Sequence, residues 1–241
     1  MKKYVPSSEE EKLFLQNYDP KEFPSIAVTV DAVVFGIFKN VAENYRKSDT
    51  PELMVLLVKR NDFPYKGQYA LPGGFVKEKE TLDESLSRTL KNKTGLTDVY
   101  SEQLYTIGEV ERDPRMRVIS CAYISLLDID KAEIKDAEWF SVNDALNMKL
   151  AFDHAGIIAD ALTRIRGKLN YTDVVFNMMP DEFTINDLQQ VYEIVLGKKL
   201  LGAAFRRTIA DSVEDTGKMT TNAGHRPARI FRHKISTEDN E

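Results

Sequence analysis

Residues Gly74 to Leu96 read GFVKEKETLDESLSRTLKNKTGL. From Thr81 to Thr94 the apolar residues Leu82, Leu86 and Leu90, with Ser85 beside Leu86, recur every three to four positions, which predicts an amphipathic helix stopped by Gly95. Thr89, Asn92 and Lys93 then lie about one turn apart on a shared side. Ahead of the helix, Lys66-Gly67-Gln68-Tyr69-Ala70-Leu71-Pro72-Gly73-Gly74 makes a tight, glycine-rich approach. Glycine lets a backbone come close to a ligand and a helix start favours anions, so Gly73 and Gly74 are candidate phosphate contacts; the plainer reading is a turn.

The stretch resembles the Nudix box, written Gly-x5-Glu-x7-Arg-Glu-U-x-Glu-Glu-x-Gly-U with U aliphatic. Gly74, Glu80, Arg88, Leu90, Gly95 and Leu96 fall in register, and Leu71-Pro72-Gly73-Gly74 precedes them as in that family. In the family, clustered glutamates hold Mg²⁺ against a pyrophosphate, because a hard cation needs anionic oxygens. Three of those positions are here Thr89, Asn92 and Lys93. A hydroxyl, an amide and an ammonium cannot replace them, although Lys93 can contact a phosphate as a point charge. The expectation is a Nudix fold that has lost its metal chemistry: no catalytic residue, no metal ligand, and not an enzyme. Asp83 and Glu84 sit more than a turn nearer the helix start, so a hydrolase using them needs a rebuilt metal site.

Residues 1–22 are polar, and Ser8 to Tyr18 is expected as a short, poorly capped helix in a loosely held arm. Ile26 to Phe38 is β-branched and aromatic enough for a buried strand; its partner is Leu53 to Val58, closed by Lys59 and Arg60, with Lys39 to Pro51 as an exposed loop between them. Gln103 to Val110 and Arg117 to Leu127 read as two more strands. Between them Arg112-Asp113-Pro114-Arg115 sets two guanidinium groups around a proline turn, either a clamp for phosphate or carboxylate or a solvated hairpin tip. A similar turn among Nudix-like domains that handle ADP-ribose favours the clamp. Glu138 to Phe140 reads as a short strand, Ser141 starts a short helix to Met148, and Asp153-His154 is expected to cap a longer helix to about Lys168. His154 is a candidate ligand contact, although a histidine at a helix start is more often structural.

Phe183-Thr184-Ile185-Asn186-Asp187-Leu188 spells a helix start, with Thr184 as N-cap, Asp187 at the third position and Phe183 stapled to Leu188. Gly197 stops that helix. A second is expected over Leu200 to Asp211, with Leu201, Phe205 and Ile209 apolar and Arg206-Arg207 exposed. Two amphipathic helices around a glycine turn read as a helix-turn-helix. The polar, turn-rich Ser212 to Arg226, followed by the short basic strand Pro227 to Arg232, reads as a β-wing. Cations there suit phosphates, and Arg206 and Arg207 suit base edges.

Bulk properties set the outer limits. The 241 residues are 42% hydrophobic and 29% charged, ordinary for a soluble globular chain of one or two domains. The longest apolar stretch, Ile26 to Phe38, is too short to span a bilayer, and Met1-Lys2-Lys3 leads into SSEEEK and not into a signal sequence. Cys121 is the single cysteine, so no internal disulfide forms and a cytoplasmic protein is expected. Residues 197–234 hold Lys198, Lys199, Arg206, Arg207, Lys218, Arg226, Arg229, Arg232 and Lys234 against Asp211, Glu214 and Asp215, an excess of +6 on a chain of net −5, which leaves −11 for the rest. A basic block on an acidic body points to a polyanion partner at one end.

A Nudix box without its glutamates, joined to the pattern FTxxxLQxVYExxLG at Phe183 to Gly197, resembles the Nudix-related transcriptional regulators of NAD metabolism from about Ser25 to His233. The resemblance implies an α+β chain: an N-terminal arm (1–22), a Nudix-like α/β/α sandwich that binds an effector (23–168) and a winged helix-turn-helix that binds DNA (169–241). It also implies a repressor of NAD genes, acting as a homodimer on a palindromic double-stranded operator. ADP-ribose or a related nucleotide is then the effector, and no cofactor is required. Candidate effector contacts are Arg60, Gly73, Gly74, Arg88, Lys93, Arg112, Arg115 and His154; candidate DNA contacts are Lys198, Lys199, Arg206, Arg207, Arg226, Arg229 and Arg232. The alternatives are an ADP-ribose or nucleotide-sugar pyrophosphatase, a sugar-responsive regulator of the same architecture, and a ligand-binding module whose basic tail contacts a protein.

Overall fold

A strand as apolar on both faces as Ala27–Phe38 has to lie inside a sheet. The computed structural model describes residues 5–19, 21, 24–38, 51–221 and 227–234, and places that strand at the centre. In chain order the elements are α1 (Glu9–Asn17), β1 (Ala27–Phe38), β2 (Glu52–Lys59), β3 (Tyr69–Ala70), β4 (Gly73–Phe75), α2 (Leu82–Thr94), β5 (Tyr100–Ile107), β6 (Val118–Leu126), β7 (Glu138–Ser141), α3 (Val142–Asn147), α4 (His154–Lys168), α5 (Ile185–Leu196), α6 (Gly202–Thr208), β8 (Val213–Met219) and β9 (Arg229–His233). Seven strands form a mixed sheet along β3-β2-β1-β6-β5, with β4 also on β1 and β7 also on β2. β1 runs parallel to β6 and antiparallel to β2 and β4.

The two-residue period of a strand sorts the core. Val30, Ala32 and Val34 share one cluster with Leu86 and Leu90 of α2, while Val33, Phe35 and Ile37 share the other with Ile157, Ile158, Ala161 and Ile165 of α4. The result is the expected α/β/α sandwich. The α4 cluster does not end there: it runs on through Leu188, Val191, Tyr192 and Val195 of α5 to Phe205 and Ile209. α5 opens on the expected capping box between Thr184 and Asp187 and closes on Gly197, whose φ of 69° is the left-handed region that glycine enters without a steric penalty. β8 and β9 form an antiparallel wing, and Phe183 bridges to Phe231, tying the start of α5 to its base.

Several expectations are corrected. Ser8 caps α1, its Oγ accepting from the Glu11 amide at 3.1 Å, yet no residue of that helix is buried. The turn-rich Ser212 to Arg226 contains a whole strand, because Val213 to Asp215 pair antiparallel with Phe231 to His233 and Thr216 Oγ1 donates to the Ile230 carbonyl at 2.8 Å. α6 ends at Thr208, not at Asp211, and Leu201 stands 82% exposed at its start instead of packing with Phe205. The loop expected from Lys39 to Pro51 lies, Pro51 apart, outside the described residues, as does Arg226.

One continuous core under both parts predicts one unfolding event. Leu188→Ala, at a site fully buried in that core, is expected to lower stability by about 2–5 kcal/mol and to shift a single calorimetric transition as a whole. Two separated transitions in the unaltered protein would contradict the shared core.

Candidate functional site

Where β1 and β4 meet the first turn of α4, a cavity of about 350 Å³ opens; Arg60, Gly73, Gly74, Lys93, Arg112, Arg115 and His154 all line it, together with Asp31, Phe63, Phe75 and Phe152. Seven of the eight candidate effector contacts thus converge. The eighth, Arg88, does not: its guanidinium clasps Glu80 through two hydrogen bonds of 2.6 and 2.9 Å and donates to the Phe75 carbonyl at 2.9 Å, fastening the loop to α2. That clasp, above all the hydrogen bonds from Arg88, pulls the Glu80 carboxyl down to about 2.

Asp31 is the buried charge around which the floor is built. Ser120 Oγ donates to it at 2.5 Å, an Arg112 nitrogen lies 3.6 Å away and His154 Nε2 3.8 Å away. A Cβ on Gly73 would meet Asp31 Oδ1 at 2.0 Å, so the close approach of β4 requires glycine. His154 Nδ1 accepts from the Leu71 amide at 2.9 Å, which leaves the ring proton on Nε2, facing Asp31. Burial drives its pKa below the ordinary histidine value, so the ring is neutral at pH 7.

Every guanidinium here already has a partner. Arg112 forms a two-pronged pair with Asp153 at 2.9 and 2.7 Å, and Arg115 does the same with Asp113 at 3.0 and 2.7 Å while lying over the Phe75 ring. Burial works against the charge on Arg112, but the hydrogen bonds and charge of Asp153, with Asp31 and Asp113 behind, outweigh it and raise its pKa. Arg60 donates to the Pro64 carbonyl at 2.8 Å and lies over Phe152. Asp153, expected to cap α4, makes no side-chain cap because Arg112 holds both of its oxygens.

At the other end of the chain, Glu193 organises the turn between α5 and α6. Its carboxylate accepts from Lys199 at 2.8 Å, from Gln189 at 2.9 Å and from the Leu200 amide at 2.9 Å, which together hold it down at about 2. Phe205 and Ile209 face inward, leaving Ala203, Ala204, Arg206, Arg207 and Thr208 exposed. In the wing, Arg229 pairs with Asp215 at 2.8 Å and Arg232 with Glu214; Lys198 and Lys199 are exposed at the turn. A larger hollow, about 540 Å³, lies between α5, α6 and the wing, but its lining is apolar apart from Thr184, Asn186, Arg206 and Arg229. The converging charges belong to the smaller cavity.

Known proteins match this arrangement in both parts. The NUDIX domain family matches residues 33–161, and the NrtR DNA-binding winged helix domain matches residues 175–233. A curated relative, the ADPR responsive transcriptional repressor NtrR of Acinetobacter baylyi, is 34% identical over 238 residues, covering 95% of this chain and 90% of that protein. The chain belongs to the NrtR family. The crystal structure of Shewanella oneidensis NrtR complexed with a 27mer DNA superposes with a TM-score of 0.73 at 36% identity, over 86% of this chain and 93% of that one. The NUDIX domain of the same protein, crystallised with ADP ribose, gives 0.53 at 37% identity over 64% of this chain and 98% of its own.

Whether the NrtR-family site of this chain suits the Mg²⁺ of Nudix enzymes turns on its donors, and they do not fit. Thr89 is 2% exposed and wedged under Gly74, with no hydrogen-bond partner for its hydroxyl, and Lys93 brings a positive charge. Glu80 is held by Arg88, Glu84 caps α2 through the Thr81 amide at 2.8 Å, and Asp83 accepts from the Tyr123 hydroxyl at 3.1 Å. Among the described residues no group of three or more His, Cys, Asp or Glu is placed to hold a metal ion. Reasoning from sequence gave Asp153 only the role of a helix cap and missed Asp31 and Phe152. Of the two missed, Asp31 left a trace, as the one charge inside the apolar run from Ile26 to Phe38.

Histidine linkage gives a direct check. The unfolded chain takes up a proton at His154 near pH ~6.5, whereas burial holds the folded ring neutral, so stability falls as pH drops below that value. In His154→Asn the loss of melting temperature between pH 7.5 and 5.5 is expected to be smaller than in the unaltered protein; equal losses would clear His154 of the effect.

Proposed function

We propose that this protein is a DNA-binding transcriptional repressor of NAD metabolism genes whose Nudix-fold domain senses ADP-ribose, or a closely related nucleotide, without cleaving it. One observation carries the reading. Four cations, Arg60, Lys93, Arg112 and Arg115, converge on a cavity whose catalytic glutamate positions hold other residues, in a chain whose other end is a winged helix. The cations suit a pyrophosphate, and Phe63 and Phe75 at the rim offer faces for a base. The named responsiveness of the Acinetobacter relative, and the DNA and ADP ribose bound in the Shewanella structures, support the same assignment. A homodimer on a palindromic operator, in the cytoplasm, completes the proposal; no helix among the described residues is long and apolar enough to cross a membrane.

The α6 side chains divide between two tasks. Helical spacing puts Arg207 opposite the buried Phe205 and Ile209, flanked by Ala203 and Ala204, whose small size lets the helix approach base edges. Arg206 points sideways into the hollow that Arg229 also lines, towards the wing, and so suits the phosphate backbone.

A pool of genomic promoter fragments titrated with the protein at two salt concentrations, with and without ADP-ribose and with Mg²⁺ present, tests the whole reading. Selective binding with a steep salt slope, altered by ADP-ribose and without AMP release, is expected. AMP release without selective binding would establish the hydrolase instead. On the selected fragment, Arg207→Ala is expected to cut the ratio of specific to non-specific affinity by about 1–3 kcal/mol, and Arg206→Ala to weaken both alike while reducing the salt slope by about one.

A further inference from the structure

We infer that Asp153 is the carboxylate which an anionic ligand displaces from Arg112, and that its transfer to the start of α4 carries the state of the cavity to the winged helix. The inference rests on the cavity being the effector site and adds how that site is regulated. Asp153 occupies the N-cap position of α4, where aspartate is among the most favoured residues, and yet it caps nothing. Both of its oxygens are taken by Arg112, which lines the cavity. A pyrophosphate arriving at Arg112 competes for the same two N–H groups, since the guanidinium fork serves a carboxylate or a phosphate in the same geometry. The released carboxylate cannot stay beside the new anion without repulsion. In the first turn of α4 the His154 and Gly156 amides already donate to the Ala151 and Asp153 carbonyls, at 3.4 and 3.0 Å, which leaves the Ala155 amide, at the positive end of the helix dipole, to donate to it.

The hinge for such an exchange is present. Phe152, next to Asp153, has φ of 55°, a left-handed conformation that is strained for a bulky side chain. It is held there by Arg60, which lines the cavity and lies 4.8 Å above its ring, and by Tyr65, which meets it edge-on at 4.8 Å. A ligand that draws Arg60 away removes part of that hold. At its far end, α4 is fastened to the DNA-binding part, where Arg166 Nε donates to the Val195 carbonyl at 2.8 Å at the close of α5. Ile157, Ile158, Ala161 and Ile165 pack in the same core as Leu188, Val191 and Val195, so a shift of α4 is transmitted and not absorbed.

Asp153→Asn separates the two partners, because an amide keeps the capping oxygen and loses the charge that competes for Arg112. In the full-length protein, calorimetric titration with ADP-ribose is expected to show tighter binding by Asp153→Asn than by the unaltered protein. Its operator affinity without ADP-ribose is expected to move towards that of the ligand-bound unaltered protein, so that the ADP-ribose effect shrinks to below about twofold from an ordinary allosteric range of roughly 5–150-fold. Hydrogen exchange at Ala155 in the unaltered protein gives a readout that needs no variant, and it is expected to slow when ADP-ribose is added. Full retention of the ADP-ribose effect in Asp153→Asn, loss of ADP-ribose binding by that variant, or unchanged exchange at the Ala155 amide would each overturn the role assigned to Asp153. If the unaltered protein fails to bind ADP-ribose at all, the assignment of the cavity falls, and this inference falls with it.

Discussion

The structure depends on the burial of α4 on two sides. Ile157, Ile158, Ala161 and Ile165 complete one face of the central sheet and at the same time supply the surface on which α5 packs. A helix that serves two cores cannot be optimised for either alone, and the apolar stripe has to be wide, as the near-continuous run Ala155 to Ala161 is. The consequence is architectural. The winged helix is not strung from a flexible linker, since the residues that stabilise its first helix also cover β1 and β2, and protein interiors pack too tightly for one side to move unnoticed by the other.

A box that loses its metal ligands yet keeps six of its positions poses a physical question, and the contacts answer it. Arg88 and Glu80 clasp the loop to α2; Gly74 leaves room for the residue at 89; Leu90 and Leu96 are buried; Gly95, with φ of 79°, ends the helix in the left-handed region. Each retained position holds the loop and helix in place, and none of these roles needs a cation. What has changed is confined to side chains whose chemistry served the metal. Lys93 now lines the cavity as a positive charge where the family places a glutamate, which alters the preference of the site from a cation to an anion without moving the backbone that shapes it.

The legible part of this chain was local chemistry. The Thr184 cap with Asp187, the two glycine stops and the β-branched, aromatic density of Ile26 to Phe38 are local signals, and they appear as read, whereas the capping box at Thr81 was not read. The cavity was legible in part: Arg112 and Arg115 stood out as cations at a proline turn, but their partners did not. Asp153 lies 41 residues from Arg112, and nothing in either local sequence says they meet. For Arg88 the family register pointed to the site, whereas its choice of Glu80 eight residues earlier turned it away. The strand β8 escaped because Glu214, Asp215, Thr216 and Gly217 look like a turn, and only the pairing of Val213 to Asp215 with Phe231 to His233 makes a strand of the segment, irregular beyond Asp215 where Gly217 has φ of 74°.

Charge in the C-terminal part is less evenly available than its sum suggests. Arg229 and Arg232 each face an acid across the wing, and Lys199 faces Glu193, so these cations reach a phosphate only by exchanging one anion for another. Surface ion pairs are weak, so the exchange in the wing costs little, but it also returns an uncompensated carboxylate to the neighbourhood of the DNA. Among the described residues Arg206, Arg207 and Lys198 make no ion pair. In the proposed DNA-binding role they would meet a duplex with no ion pair to give up. On the proposed DNA-binding reading, affinity comes chiefly from α6 and the turn before it, while the wing, whose acids remain beside its arginines, orients the domain on the duplex more than it tightens the hold.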